Sequence, residues 1–204
     1  MVDSIVGGHE GCRGLSDRGR RQVEALRDRL VATGELRADA LYASVLPRAI
    51  QTAEILAPAL GGLDVRQDCD LCEQHPGEGD GLTWAEFEER YRPDGRRFEP
   101  YEPFSPGGES TAGFNARVGR ALTKLVGEHR GGTVVVACHG GVVAASMVAF
   151  LALPFQGLMA PLYSTNTSLT EWLLDDDGAD PTHPPPWRLL RYNDAAHLAG
   201  VGDG

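Results

Sequence analysis

The feature that most constrains this chain is the run Thr133-Val134-Val135-Val136-Ala137-Cys138, followed at once by His139-Gly140-Gly141 and an apolar segment. A continuous β-branched run with no polar alternation reads as a strand covered on both faces, the usual state of a central strand in a parallel sheet. Parallel neighbours need crossover connections, normally helices. Such helices are visible on either side of the run. Over residues 17–33 the apolar Val23, Leu26 and Leu30 recur at helical spacing, with Ser16 placed to cap the start and Gly34 to end it. Residues 47–60 repeat the pattern with Ile50, Ala53, Leu56 and Leu60, and Pro47 suits a first helical turn. Residues 110–130 present Phe114, Val118, Leu122 and Leu125 as an inward stripe, and residues 142–153 form an apolar helix.

Short apolar segments at 38–43 and 63–67 read as further strands, as do 168–174 and 187–192. Thr83-Trp84-Ala85-Glu86 fits a capping box opening a short helix to Tyr91. Residues 93–108 read as an irregular loop, and 175–186, acidic and then proline-rich, as a surface turn. No stretch resembles a flexible linker. Helices alternating with buried strands predict one α/β domain over residues 1–204, with a largely parallel sheet.

Composition excludes several classes of function. Nineteen Lys and Arg against 29 Asp and Glu leave a net charge of −10. That argues against nucleic-acid or anionic-membrane partners, which require a basic footprint. No apolar run approaches the ~20 residues that span a bilayer, and residues 1–8 lack the basic and apolar regions of a signal peptide. The cysteines Cys12, Cys69, Cys72 and Cys138 read as reduced thiols of a cytoplasmic protein. Cys69 and Cys72 have C-x-x-C spacing, but no second close cysteine pair completes a zinc set, so no metal and no cofactor are expected.

Four segments carry residues suited to phosphate chemistry. His139-Gly140-Gly141 follows a strand and opens a helix, where backbone N–H groups favour an anion. Arg48 stands in the first turn of a helix just past another strand end, and arginine suits bidentate phosphate recognition. Glu73 follows the 63–67 strand and could protonate a leaving oxygen. Arg13 lies in a glycine-bracketed loop before the first helix.

Taken in order, these pieces resemble the histidine phosphatase superfamily, also called phosphoglycerate mutase-like. The matching segments are Leu15 to Gln22, Ala43 to Glu54, Leu71-Cys72-Glu73, Pro106-Gly107-Gly108-Glu109-Ser110, Val135 to Gly141 and Asn166-Thr167-Ser168. The resemblance implies a three-layer α/β/α fold and phosphoryl transfer through a phosphohistidine, without metal. It implies that His139 and Arg48 hold the phosphoryl group, with Arg13 and Gly140 beside them, and that Glu73 donates the proton. It implies a small phosphorylated metabolite as substrate.

The chain departs from the family in one respect. No Arg-His-Gly triplet, which presents the family's nucleophile, occurs in the 204 residues, and only 14 residues precede Leu15. The resemblance therefore implies that the first central strand and the nucleophile are missing, as in a truncated chain, so that the sequence as written has little or no activity. His9, in Gly7-Gly8-His9-Glu10-Gly11, is read as a loop histidine rather than a substitute nucleophile. A phosphatase is favoured. A phosphoglycerate mutase-type transferase and a pseudophosphatase that binds phosphorylated ligands are the alternatives. Residues 75–84 are expected to line the pocket mouth, and the aromatic stretch 84–101 to pack on the core, to cover the site or to join a homo-oligomer.

Overall fold

The computed structural model describes residues 5–95, 99–153, 162–175 and 187–201. Three strands, β1 (Ala40–Ala43), β2 (Val65–Gln67) and β3 (Val134–Ala137), form a parallel sheet in the order β2-β1-β3. Strands β4 (Leu169–Leu174) and β5 (Trp187–Asp194) form a separate antiparallel pair. The helices are α1 (Asp17–Thr33), α2 (Pro47–Leu56), α3 (Trp84–Tyr91), α4 (Thr111–Glu128) and α5 (Gly140–Phe150).

Side chains alternate across the parallel sheet and sort the helices into two layers. Ala40, Tyr42, Val134 and Val136 face α4 and α5, where Phe114, Val118, Leu122, Leu125, Val142 and Ala145 close one core. Leu41, Ala43, Val135 and Ala137 face α1 and α2, where Val23, Leu26, Leu30, Ala53 and Leu56 close the other. This is the three-layer arrangement expected. The stripe positions named from periodicity are buried because one face of each helix must leave water, except Ile50, which is half-buried while Ala49 takes the inward place.

Several boundaries differ from the sequence reading for local reasons. The 47–60 helix stays α only to Leu56 and tightens to a 3-10 turn over Ala57–Leu60. Pro58 has no N–H to continue the α ladder, and Gly61, at φ 80°, ends the turn in the left-handed region. Helix α5 begins two residues earlier than expected, with His139 as its cap residue. Ser16, Ser110 and the Thr83–Glu86 capping box cap their helices as the sequence implies.

One expectation needs correction. The valine run is not a central strand here: β1 is fully buried, whereas β3 pairs only with β1 among the described residues and Val134, Val135 and Val136 are half-buried. Among the described residues no strand pairs with the second edge of β3, although Leu169 of β4 packs into the core cluster that holds Val135 and Ala137. The β4–β5 pair is anchored separately. Arg29 of α1 joins Asp194 and Glu35 at 2.7 Å each, and Arg191 joins Glu35 at 2.7 Å and Glu171 at 2.6 Å.

Only part of the aromatic stretch joins a local core, since Trp84 and Tyr101 are exposed. Phe87 is buried, stacks on Phe104 at 4.5 Å and meets Trp84 edge-on at 5.7 Å. Arg96, Arg97 and Phe98, and the turn expected at 176–186, lie outside the described residues.

Candidate active site

Parallel pairing in register brings the carboxyl ends of β1 and β3 to the same edge, so the residues that follow them meet. Ser44 Oγ lies 2.7 Å from His139 Nε2, with both side chains buried. Arg48, in the first turn of α2, donates from Nε to His139 Nδ1 at 3.3 Å and from Nη1 to the Gly7 carbonyl at 2.9 Å. An Nδ1 that accepts from a guanidinium carries no proton. The hydrogen-bond network therefore assigns the ring proton to Nε2, which donates to Ser44 Oγ. Burial, and after it the charges of Arg48 and Arg117, push the His139 imidazolium down to about 3. His139 is a buried, neutral donor.

Arg48 bonds a carbonyl, an imidazole and the Cys12 thiol, and forms no carboxylate ion pair among the described residues. Cys12 sits beside it. Burial raises the Cys12 thiol, but the backbone N–H groups of Gly14 and Arg48 and the Arg48 guanidinium outweigh that and hold it below its ordinary value. Near Gly140, a Cβ would stand 3.9 Å from Ser164 Cβ, and the Ser164 hydroxyl is buried without a hydrogen-bond partner.

Glu73 reaches the amino end of α5. Its Oε2 accepts from the Gly141 N–H and its Oε1 from the Gln74 N–H, each at 3.0 Å. The helix has no side-chain cap from His139, so this carboxylate satisfies an N-terminal N–H and meets the positive end of the helix dipole. Gly141 permits the contact, since a Cβ there would overlap the Glu73 carboxylate.

The loop carrying Glu73 is gathered by Arg117 of α4, which sequence reasoning passed over. Arg117 is 8% exposed and binds both oxygens of Glu109, at 2.8 and 2.6 Å. Its other N–H groups donate to the carbonyls of Asp70 at 2.9 Å, Cys72 at 3.2 Å and Glu73 at 3.3 Å. The signal was Glu109 in the Gly107-Gly108-Glu109 segment, whose carboxylate had no assigned partner. Desolvation raises the Glu109 carboxyl, but its bonds to Arg117 and to the His75 N–H prevail and lower it.

The structure thus gathers His139, Arg48, Glu73 and Gly140 at the carboxyl edge of the parallel sheet. Arg13 is exposed and forms no hydrogen bond or ion pair among the described residues. His9 is exposed as well, and its Nε2 lies 4.0 Å from Cys69 Sγ. A cleft of about 300 Å³ lined by Ser16, Arg18, Gly19, Gln22, Tyr163, Thr165 and Asn166 lies elsewhere, at the start of α1. No described helix is long and apolar enough to cross a membrane.

Comparison with known proteins identifies the family. The model of the histidine phosphatase superfamily (branch 1) matches residues 2–183. Phosphoglycerate mutase-like protein 4 of Arabidopsis thaliana is 31% identical over 197 residues, covering 92% of this chain and 77% of that protein. Glucosyl-3-phosphoglycerate phosphatase of Mycobacterium tuberculosis is 34% identical over 198 residues, covering 91% of this chain and 85% of that protein. A native structure of the mycobacterial glucosyl-3-phosphoglycerate phosphatase superposes with a TM-score of 0.77 at 30% identity, over 95% of this chain and 92% of that one. With its parallel sheet, its strand-end histidine and its arginine at the same sheet edge, this chain belongs to the histidine phosphatase superfamily.

Proposed function

We propose that the His139–Arg48–Glu73 site binds the phosphoryl group of a small phosphomonoester and serves its hydrolysis. One observation carries the reading. Arg48 is a half-buried cation that bonds no carboxylate among the described residues, beside a neutral imidazole donor and an unpartnered buried hydroxyl, Ser164. A cation so placed lacks its counter-ion, and a phosphoryl dianion supplies one. Arg48 takes the non-bridging oxygens. His139 turns its Nε2–H from Ser44 to a phosphoryl oxygen, and the bound anion favours the imidazolium. Glu73 delivers a proton to the departing alkoxide. Arg117 touches no substrate in this scheme; it positions Glu73 through the loop carbonyls. The chemistry relies on positioning and charge, as phosphoryl transfer generally does.

Turnover in this scheme runs through a phosphohistidine formed on a nucleophile that the 204 residues, which contain no Arg-His-Gly, do not carry. The chain as written therefore binds phosphate esters without hydrolysing them. The half-buried edge of β3, which pairs with no second strand among the described residues, supports that reading. A mutase reading asks for further cations, yet Arg90 lies over the Tyr91 ring at 5.5 Å. The compartment proposed is the cytoplasm, in keeping with four free cysteines.

Calorimetric titration with inorganic phosphate or vanadate tests the site, beside a phosphomonoesterase assay of this chain and of a version carrying an N-terminal strand ending in Arg-His-Gly. The expected results are phosphate binding by both and hydrolysis by the extended version alone. Equal phosphate affinity in wild type and Arg48→Ala would sink the proposal.

A further inference from the structure

Away from Arg48, the fold brings together four side chains that the sequence separates. His9, Cys69, Cys72 and His75 each offer a ligand atom, and these four atoms lie within 4.8 Å of one another. We propose that they form a tetrahedral site for a zinc-class divalent cation, bound through two thiolates and two imidazoles. This site stands independently of the phosphoryl reading.

The donor set is the first argument. Two sulfurs and two imidazole nitrogens are the ligands of closed zinc sites, and they disfavour magnesium and calcium. The spacing is the second. Zinc bonds of ~2.3 Å to sulfur and ~2.0 Å to nitrogen place tetrahedral sulfurs ~3.8 Å apart and sulfur and nitrogen ~3.5 Å apart. Cys69 Sγ and Cys72 Sγ are 3.7 Å apart, and Cys69 Sγ and His9 Nε2 are 4.0 Å apart. A disulfide would need the sulfurs at ~2.05 Å.

The third argument is an unexplained atom. His75 Nε2 is buried and has no hydrogen-bond partner. Its Nδ1 faces Glu109 Oε2 at 3.6 Å. That is the arrangement in which a carboxylate orients a metal-bound histidine and leaves the other nitrogen for the ion.

The fourth is that every ligand is already held by its neighbours. The Asp80 carboxylate accepts from the N–H groups of Gly8, Glu10 and Gly11 at 2.8, 2.8 and 3.0 Å, which fixes the loop on both sides of His9. Arg117 fixes the carbonyls around Cys69 and Cys72, and Glu109 accepts from the His75 N–H at 3.0 Å. His9 and Cys69 are exposed, so an ion can enter from solvent. Binding Zn²⁺ breaks the two S–H bonds, forms two Zn–S bonds and releases two protons to water. No electron moves. Cys72 and His75 bracket Glu73 and Gln74, so the ion would pin the Glu73 loop to the loop holding His9.

The test uses the whole 204-residue protein, reduced and stripped of metal, titrated with zinc against a chromophoric chelator and with cobalt(II) by visible absorption. The expected results are one equivalent of zinc at sub-micromolar dissociation constant, and intense tetrahedral cobalt bands with a thiolate charge-transfer band. His9→Ala and Cys69→Ser alter exposed positions, and their metal-free circular dichroism should match wild type. Each should weaken zinc at least ~10-fold and remove the zinc-induced rise in melting temperature. Substoichiometric uptake, six-coordinate cobalt spectra, or unchanged affinity in both variants would overturn the site. So would loss of both thiols to a disulfide that zinc does not prevent.

Discussion

A buried neutral histidine makes stability depend on pH in a direction the structure fixes. Burial and Arg48 hold the His139 imidazolium down at about 3, against 6.5 for an ordinary histidine. Between those values the unfolded chain binds the proton and the folded one does not. Stability therefore rises with pH through this window, is fully present above 6.5, and is lost as pH falls toward 3. Linkage through these two values gives His139 alone a loss of about 2 kcal/mol between pH 7 and pH 5. For a chain of this size that is a fall of roughly 4–8 °C in melting temperature. His75 and His197 are also lowered by burial and add their own slopes, so wild type alone does not isolate His139. The comparison with His139→Gln does, because the glutamine can still donate to Ser44 but does not titrate. Melting curves from pH 5 to pH 7 should show a slope difference of about 2 kcal/mol, whatever the absolute cost of the substitution. Saturating phosphate should flatten the wild-type slope, since an anion at Arg48 favours the imidazolium. Parallel curves for the two proteins would refute the buried neutral imidazole and its assigned tautomer.

Gly141→Ala puts a methyl group where the Glu73 carboxylate sits, so it should displace Glu73 and cut hydrolysis by the strand-extended version at least ~100-fold, at the low end of a general acid's contribution. Phosphate affinity, read by calorimetry, should change far less. Arg117→Met strands the Glu109 carboxylate and frees three loop carbonyls, and chemical denaturation should show a loss of about 3 kcal/mol. Phe87→Ala empties the ring stack on Phe104 and should cost about 3–5 kcal/mol by the same measurement, with phosphate binding kept by the folded fraction. Adding an N-terminal strand beside β3 should raise the melting temperature, because it would pair the edge that meets no second strand among the described residues and cover the half-buried Val134, Val135 and Val136. Equal melting with and without that strand would count against the placement.

The helices were legible because each has a simple signal. Ser16, Ser110 and Thr83 are caps whose side chains accept from N–H groups three residues on, and the buried stripes follow from a 3.6-residue period. The strand-end positions of Arg48 and His139 were legible for the same reason: both follow a short apolar run and open a helix. The edge status of β3 was legible only through the family resemblance, because a valine run by itself reads alike in a central and an edge strand. Arg117 was hidden. It looks like any polar residue on α4 until the fold wraps the loop at 69–73 around it. The C-x-x-C pair looked incomplete because His9, its distant partner, comes from a loop that only tertiary structure brings to the 69–75 segment.

Glu73 shows why such contacts escape a linear reading. Its carboxylate is held by the α5 amino end, its backbone by Arg117, and its flanks by Cys72 and His75. Glu109 links these supports, since it binds Arg117 and faces His75 Nδ1. A change at Glu109 would therefore reach both the phosphoryl site and the four-ligand cluster, although its nearest contacts belong to neither histidine–arginine pair nor thiol. Because the two sites share this support, metal at the cluster should reach the phosphoryl site through the Glu73 loop. His139, Arg48 and Ser44, held by β1, α2 and β3, should bind phosphate alike with or without it.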